Sequence, residues 1–303
     1  MLFVDDGVDQ RRAPPNRLGS GTDAATSSPG LLRGLARSCH PVPTMAVTLI
    51  SCALTALAGN AAPRVVLVSA AVLAGQLSIG WSNDAIDAER DRSTRRADKP
   101  VAVGAVPAPV VVRAAGVALV VAVVLAVSLG ARAGAAALVI VVAGWAYNCG
   151  VKATIWSWAP YAIAFGALPA VATLARPDHQ FPAAWAVTAG ALLGVAAHLA
   201  NVAPDLADDM ATGVRGFPHR LGRRGTGVLG PTLLAGAATA VYVGAGPSFS
   251  PWRLVALAVS LSAAVAAAVI AMRAEQGRRY FLATIVAAGL DVVMFALSGH
   301  RLS

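Results

Sequence analysis

Hydrophobic positions in this chain run together; they do not recur at the 3.6-residue spacing of a half-buried helix. Apolar runs centre on residues 44–60, 63–82, 108–129, 132–149, 158–175, 183–203, 226–246, 252–272 and 281–299. A helix that is apolar all round belongs in a large core or in lipid, and about 20 such residues span a bilayer. The pattern therefore predicts an all-α polytopic membrane protein with nine transmembrane helices. The first run is the most polar, carrying Thr44, Thr48, Ser51 and Thr55. Small residues crowd nearly every run, as close helix packing in lipid requires.

Composition agrees. The 303 residues are 57% hydrophobic and 13% charged, whereas soluble domains carry about 25% charged residues. Residues 1–40 differ from the rest: they are polar, rich in Pro, Gly, Ser and Thr, and dotted with Arg11, Arg12, Arg17, Arg33 and Arg37. No apolar core follows these arginines closely enough for a secretory signal. They read as a disordered cytoplasmic tail ahead of a membrane domain at 41–303.

The net charge of +9 has no nucleic-acid-binding module beside it, so nucleic acid is not the expected partner. The bases lie mostly in short segments between the runs, where they would anchor the chain to membrane lipid. Taken in alternation, the loops 83–107, 150–157, 204–225 and 273–280 hold thirteen Lys and Arg against five in the other set. The positive-inside rule then puts the amino terminus in the cytoplasm and, after nine crossings, the carboxyl terminus outside. Abundant Ala, Val, Gly and Arg point to a GC-rich bacterial genome, hence a plasma membrane. Cys39, Cys52 and Cys149 show no metal-binding spacing.

Charge changes the picture most where it is concentrated. Eight of the eleven acids after the tail fall in two windows: Asp84, Asp87, Glu89, Asp91 and Asp98 after the second run, and Asp205, Asp208 and Asp209 after the sixth. Both windows belong to the cytoplasmic set. If the second helix continues past Trp81, then Asn83, Asp84, Asp87 and Asp91 follow at i, i+1, i+4 and i+8 along one stripe, and Asp205 and Asp209 form an i, i+4 pair. Like charges stacked in this way repel unless a cation lies between them. Oxygen ligands without His or Cys favour a hard ion, and Mg²⁺ is the usual choice beside phosphate oxygens. The interleaved bases suit the remaining phosphate oxygens. A solvated loop of mixed charge explains either window alone; the pair, matched in helix position and side, points to a metal-diphosphate site.

At these residues the chain resembles a known family. Asn83-Asp84-Ala-Ile-Asp87-Ala-Glu-Arg-Asp91 is similar to the NDxxDxxxD motif of the UbiA superfamily of intramembrane prenyltransferases, and Asp205-Leu-Ala-Asp-Asp209 resembles its second motif, DxxxD. The segment YNCGVKATIWSWAPYAIAFGALP at 147–169 resembles the family's middle region, and the likeness covers roughly residues 39–299. It implies nine transmembrane helices bundled around a central cavity with two Asp-rich cytoplasmic caps, and Mg²⁺ held by Asn83, Asp84, Asp87 and Asp91 on one side and Asp205 and Asp209 on the other. Asp208 would point partly away. Lys152 would reach the diphosphate with Tyr147 nearby, and Arg90, Lys99 and Arg215 are further candidates for that job. Asn201, one turn before Asp205, either joins the site or makes an interhelical hydrogen bond, and His198 reads as an interior hydrogen-bonded group.

The reaction implied is transfer of a prenyl group from a prenyl diphosphate to an aromatic or quinone-precursor acceptor. Two rivals stay open. A terpene synthase of the same superfamily would share the metal site but cyclise the cation, and would favour aromatic side chains around it. A cation transporter would place its ionisable groups near the bilayer midplane, whereas these carboxylates cluster at helix ends.

Overall fold

The computed structural model describes residues 28–94, 96–244, 251–273, 278–297 and 302. Every apolar run becomes a helix: α2 (Pro41–Leu57), α3 (Ala62–Ser93), α4 (Ala108–Ser128), α5 (Ala131–Asn148), α6 (Ala159–Leu174), α7 (Ala184–Val202), α9 (Phe217–Gly244), α10 (Pro251–Met272) and α11 (Arg278–Leu297). Two shorter helices, α1 (Ser28–Ser38) and α8 (Leu206–Ala211), complete the set among the described residues. Proline occupies the first turn of α2, α3, α4 and α6, where its missing N–H has no intrahelical partner to lose.

Six helices, α3, α4, α5, α7 (with the turn that follows it), α9 and α10, are long and apolar enough to cross a membrane. The count is seven if α1 and α2, bent by 63° where they meet, form one broken span. Helix α6 has 16 residues, about 24 Å at 1.5 Å per residue, short of the ~30 Å hydrocarbon layer.

The expected disordered tail is corrected at its end. Residues 28–38 form α1, while 1–27 lie outside the described residues. Leu31 and Leu35, one turn apart on α1, pack with Trp81, Val101, Val106 and Val111, and Trp81 Nε1 donates to Leu35 O at 2.9 Å. This apolar pair holds a helix that its polar flanks conceal.

Helices α2, α3, α5, α6, α7 and α11 follow one another around a chamber; α4 packs outside α3 and α5, α9 against α7, and α10 against α9 and α11. Away from the acidic windows, Leu54, Val68, Leu129, Leu168 and Val171 pack into one buried apolar cluster. Asn60 Nδ2 donates to Ala172 O (2.9 Å) and Arg176 Nη1 to Ala58 O (2.8 Å), tying the α2–α3 turn to α6. Two glycine contacts set the chamber's shape. A Cβ on Gly194 would lie 2.3 Å from Tyr161 O, so α6 and α7 meet backbone to backbone. A Cβ on Gly80 would lie 2.4 Å from Cys39 O; its absence seats the α1–α2 turn on α3 and brings His40 beside the first acidic window.

Candidate active site

Helix α3 runs unbroken to Ser93, so Asn83, Asp87 and Asp91 do share one stripe, and all three line the chamber. Asp87 and Asp91 are buried. Asn83 Nδ2 donates to Asp87 Oδ2 and to Asn148 Oδ1, both at 3.2 Å. Asn148 in turn donates to Ile79 O and Ser82 Oγ, each at 2.8 Å, clamping α5 onto α3. Its place in a run of apolar residues gave no sign of this role.

Asp84 also lines the chamber. One residue round the helix from Asn83, its Oδ1 is taken by Lys99 Nζ (2.9 Å) and His40 Nε2 (3.2 Å). Its Oδ2 is buried without a hydrogen-bond partner among the described residues. Lys99, expected at the diphosphate, is thus spent largely on Asp84, although it still lines the chamber.

Asp87 collects the nearest bases. Lys152, from the 3₁₀ turn Val151–Ala153, donates to Asp87 Oδ1, and Arg90 Nη2 donates to Oδ2 at 2.9 Å. Burial pushes the Lys152 ammonium below its ordinary pKa, against the opposing pull of Asp87. Tyr147 lies against the same chamber.

The second window lies where α7 breaks. Asp205 ends the 3₁₀ turn Ala203–Asp205 and Asp209 lies in α8; the side chain of Asp208 lies outside the described residues. Arg96 joins the two windows. Its Nη1 is 3.1 Å from Asp205 Oδ1, its Nε and Nη2 each donate to Asp98 at 2.9 Å, and its backbone N–H donates to Asp91 O at 3.0 Å. The paired hydrogen bonds from Arg96 hold the Asp98 carboxyl down to about 2. Asp209 Oδ2 lies 3.3 Å from His219 Nε2.

Of the two remaining candidates, one lies outside the chamber lining and one within it. Arg215 is exposed and is absent from the chamber lining, because the neighbouring Val214 takes the inward position of that turn. Asn201 lines the chamber but donates to Tyr161 OH, at 3.4 Å, making the interhelical bond. Spacing missed Arg96, His40 and His219, which reach the site from other segments.

Behind the charged rim the cavity extends to about 610 Å³, with walls that include Val47, Ile50, Ile140, Ala164 and Leu193. Aromatic rings gather on one side. Tyr147 stands edge-on to Tyr161 (5.2 Å between centroids) and His198 (5.6 Å), and Tyr161 stacks on Phe165. His198 is fully buried, its Nε2 3.0 Å from Ser157 Oγ. Ser157 also accepts from Phe217 N–H at 2.9 Å.

Among the described residues, no three His, Cys, Asp or Glu side chains converge tightly enough to hold a metal as they stand; Lys152, Arg90, Lys99 and Arg96 pair with the carboxylates instead. The arrangement nevertheless offers oxygen donors on both sides of one opening, bases between them, and an apolar chamber beneath.

Solved structures share this architecture. A UbiA homolog from Archaeoglobus fulgidus, described as bound to GPP and Mg²⁺, superimposes with a TM-score of 0.69 at 12% identity, covering 88% of this chain and 99% of that one. An apo UbiA homolog from Aeropyrum pernix K1 gives 0.69 at 16%, covering 84% and 97%. A structure described as digeranylgeranylglyceryl phosphate synthase gives 0.64 at 14%, covering 88% and 98%. At such identities the likeness is one of fold. No curated protein matches the chain by sequence. The family profile supplies what the folds alone do not: it matches residues 44–289, and the chain belongs to the UbiA prenyltransferase family.

Proposed function

We propose that the protein is a Mg²⁺-dependent intramembrane prenyltransferase that moves a prenyl group from a prenyl diphosphate to an aromatic or quinone-precursor acceptor. The observation that carries this reading is the joining of two aspartate windows across one opening, through Arg96, above an apolar chamber. The donor set fits a hard cation: Asn83, Asp87 and Asp91 would hold it from α3, Asp205 and Asp209 from the opposite side, and Asp84 retains one uncommitted oxygen. Relatives of the same fold are described as bound to GPP or DMAPP with Mg²⁺, which supports the same ligands here. When bound, the ion neutralises charge developing on the leaving diphosphate.

The chain's own groups do the rest. Lys152, Arg90 and Arg96 bind diphosphate oxygens as the C1–O bond breaks and its electron pair leaves with the diphosphate. The apolar chamber keeps water from the allylic cation. An electron-rich acceptor carbon donates a pair to C1, then loses its proton to an oxygen at the rim. The membrane placement proposed is nine crossings with a cytoplasmic amino terminus and an outer carboxyl terminus, so that the long chain enters from lipid while its diphosphate stays at the cytoplasmic surface.

A second reading, an intramembrane terpene synthase, gains from one observation: Tyr147, Tyr161, Phe165 and Phe281 all line the chamber, where aromatic faces stabilise cations. Diphosphate release from geranyl, farnesyl and geranylgeranyl diphosphates, with and without Mg²⁺ and acceptor, separates the readings. Release that needs acceptor supports the transferase. Release alone with a hydrocarbon product supports the cyclase, and no release with any donor would sink both.

A further inference from the structure

Gln76 lies on α3 seven residues before Asn83, two turns or ~10 Å further from the charged rim. It falls on the stripe that continues through Gly80, Asn83 and Asp87, and it lines the chamber with them. The residue is half-buried and makes no hydrogen bond to any described residue. A primary amide offers two donors and an acceptor, and leaving them unmet in an apolar wall costs free energy that a Leu of similar size would not. Polar groups that face a cavity within a membrane segment mark function.

The surroundings define what the amide can receive. Thr44 and Thr284, on facing helices, donate their hydroxyls to the backbone oxygens of Cys39 (2.7 Å) and Tyr280 (3.1 Å), so neither offers a donor. The Lys and Arg side chains that line the cavity are Arg37, Arg90, Arg96, Lys99 and Lys152; of its histidines, His40 and His219 meet Asp84 and Asp209 and His198 meets Ser157. Gln76, two turns further along α3, pairs with none of these groups among the described residues. A carboxylate placed there would be buried with no base to pair it.

Resting on the transferase reading above, we infer that Gln76 selects the acceptor: its amide receives a neutral hydroxyl or carbonyl, so the acceptor is a phenol or quinol with no carboxylate at that end. Purified full-length protein in lipid nanodiscs, given geranyl diphosphate and Mg²⁺, is assayed with matched pairs. These are phenol against 4-hydroxybenzoate, and 1,4-dihydroxynaphthalene against 1,4-dihydroxy-2-naphthoate. The uncharged member of each pair is expected to give the higher kcat/KM. Gln76→Leu should raise the KM for that acceptor about tenfold, the worth of one hydrogen bond, with the KM for geranyl diphosphate unchanged; Gln76→Lys should turn preference toward the carboxylates. A wild-type preference for carboxylates, or an unaltered acceptor KM in Gln76→Leu, overturns the inference. Should wild type prenylate none of the four, the transferase reading fails by itself. Titration of 1,4-dihydroxynaphthalene by calorimetry then judges Gln76: weaker binding to Gln76→Leu than to wild type upholds the role, and equal or absent binding refutes it.

Discussion

Asp87 and Asp205 border the same opening, yet one rides a helix of 32 residues and the other a break between helices. Around Asp87 the carboxylates are buried, and Lys152, Arg90 and Asn83 hold it from three directions. Asp205 keeps 36% of its side chain exposed, and its ion-pair partner among the described residues, Arg96, comes from a loop. The six-residue α8 that follows is far too short to be a stable helix by itself. The first window is therefore a fixed frame and the second an adjustable arm, positioned by the base that bridges them. On the proposed reading, Asp87 and Asp205 would hold the cation, and Lys152 and Arg96, which now pair with them, would then be available to the diphosphate.

The sharpest test of that division is the pair Asp87→Asn and Asp205→Asn. Asp87→Asn removes a ligand from the frame and leaves Lys152 and Arg90 without their shared carboxylate. We expect kcat/KM to fall at least about 10²–10³-fold, the size of losing one preorganised electrostatic contact in a closed site, with no recovery at high Mg²⁺. Asp205→Asn should also stop turnover at limiting Mg²⁺, but raising Mg²⁺ should restore part of it, because an adjustable arm is repositioned more easily than a frame. Full activity of either variant at limiting Mg²⁺ would remove its aspartate from the ligand set. Thermal unfolding of Asp205→Asn should stay close to wild type, whereas Asp87→Asn, which leaves the buried Lys152 without its carboxylate, should lower the unfolding temperature.

Stability should divide the two regions as well. Asp84 is 1% exposed and Lys99 is 14% exposed, so Lys99→Ala leaves a buried carboxylate with only His40 beside it. Breaking such a pair costs about 3–5 kcal/mol, visible as a lowered unfolding temperature in detergent. Arg96→Ala breaks a half-exposed contact and should cost under about 1 kcal/mol. Equal losses would show that the bridge is as structural as the lock at Asp84.

A smaller effect separates the bases by pH. Burial lowers the Lys152 pKa, and a cation on Asp87 would act in the same direction. As pH rises, the ammonium is lost before an ordinary lysine would lose its proton, so the alkaline limb of kcat/KM should fall below the usual lysine range. Lys152→Arg keeps its charge at any accessible pH; the limb should move up even though the rate at neutral pH drops severalfold. A limb that stays in place assigns that proton to another group.

The contrast between the windows also explains what the sequence made legible. Long apolar runs read directly as helices because lipid removes the need for amphipathic periodicity, and in a chain so poor in charge the two aspartate windows stood out. On α3, spacing placed Asn83, Asp87 and Asp91 on one chamber-lining stripe because a continuous helix carries its register across the motif. Register fails where the chain leaves the helix. The direction of Arg96 or Arg215 in a loop depends on the tertiary neighbours of that turn, and the partners of Asp84, His40 and Lys99, lie 44 and 15 residues away in sequence. Ser157 and His198, 41 residues apart, meet only because α6 and α7 pack closely. Helix α1 escaped because two leucines in a polar stretch are a weak signal until Trp81 is known to face them.

Arg96 and Arg215 provide the finest version of the comparison, since both flank the second window and the sequence favoured Arg215. Arg96 lines the chamber and touches Asp205, whereas Arg215 is exposed and outside the lining. If the bridge releases Asp205 to bind diphosphate, Arg96→Ala should raise the KM for geranyl diphosphate about tenfold or more, as loss of one charge-assisted hydrogen bond does. Arg215→Ala should leave that KM within about twofold, since an exposed base outside the cavity contributes little more than a screened surface charge. Raising the salt concentration adds a control: the small Arg215 effect should vanish by about 0.5 M while the Arg96 effect persists, because contacts inside a partly closed cavity are screened less. The reverse order, with Arg215→Ala the more damaging, would mean that the diphosphate approaches over the α8–α9 turn and that Arg96 serves only to hold the arm in place.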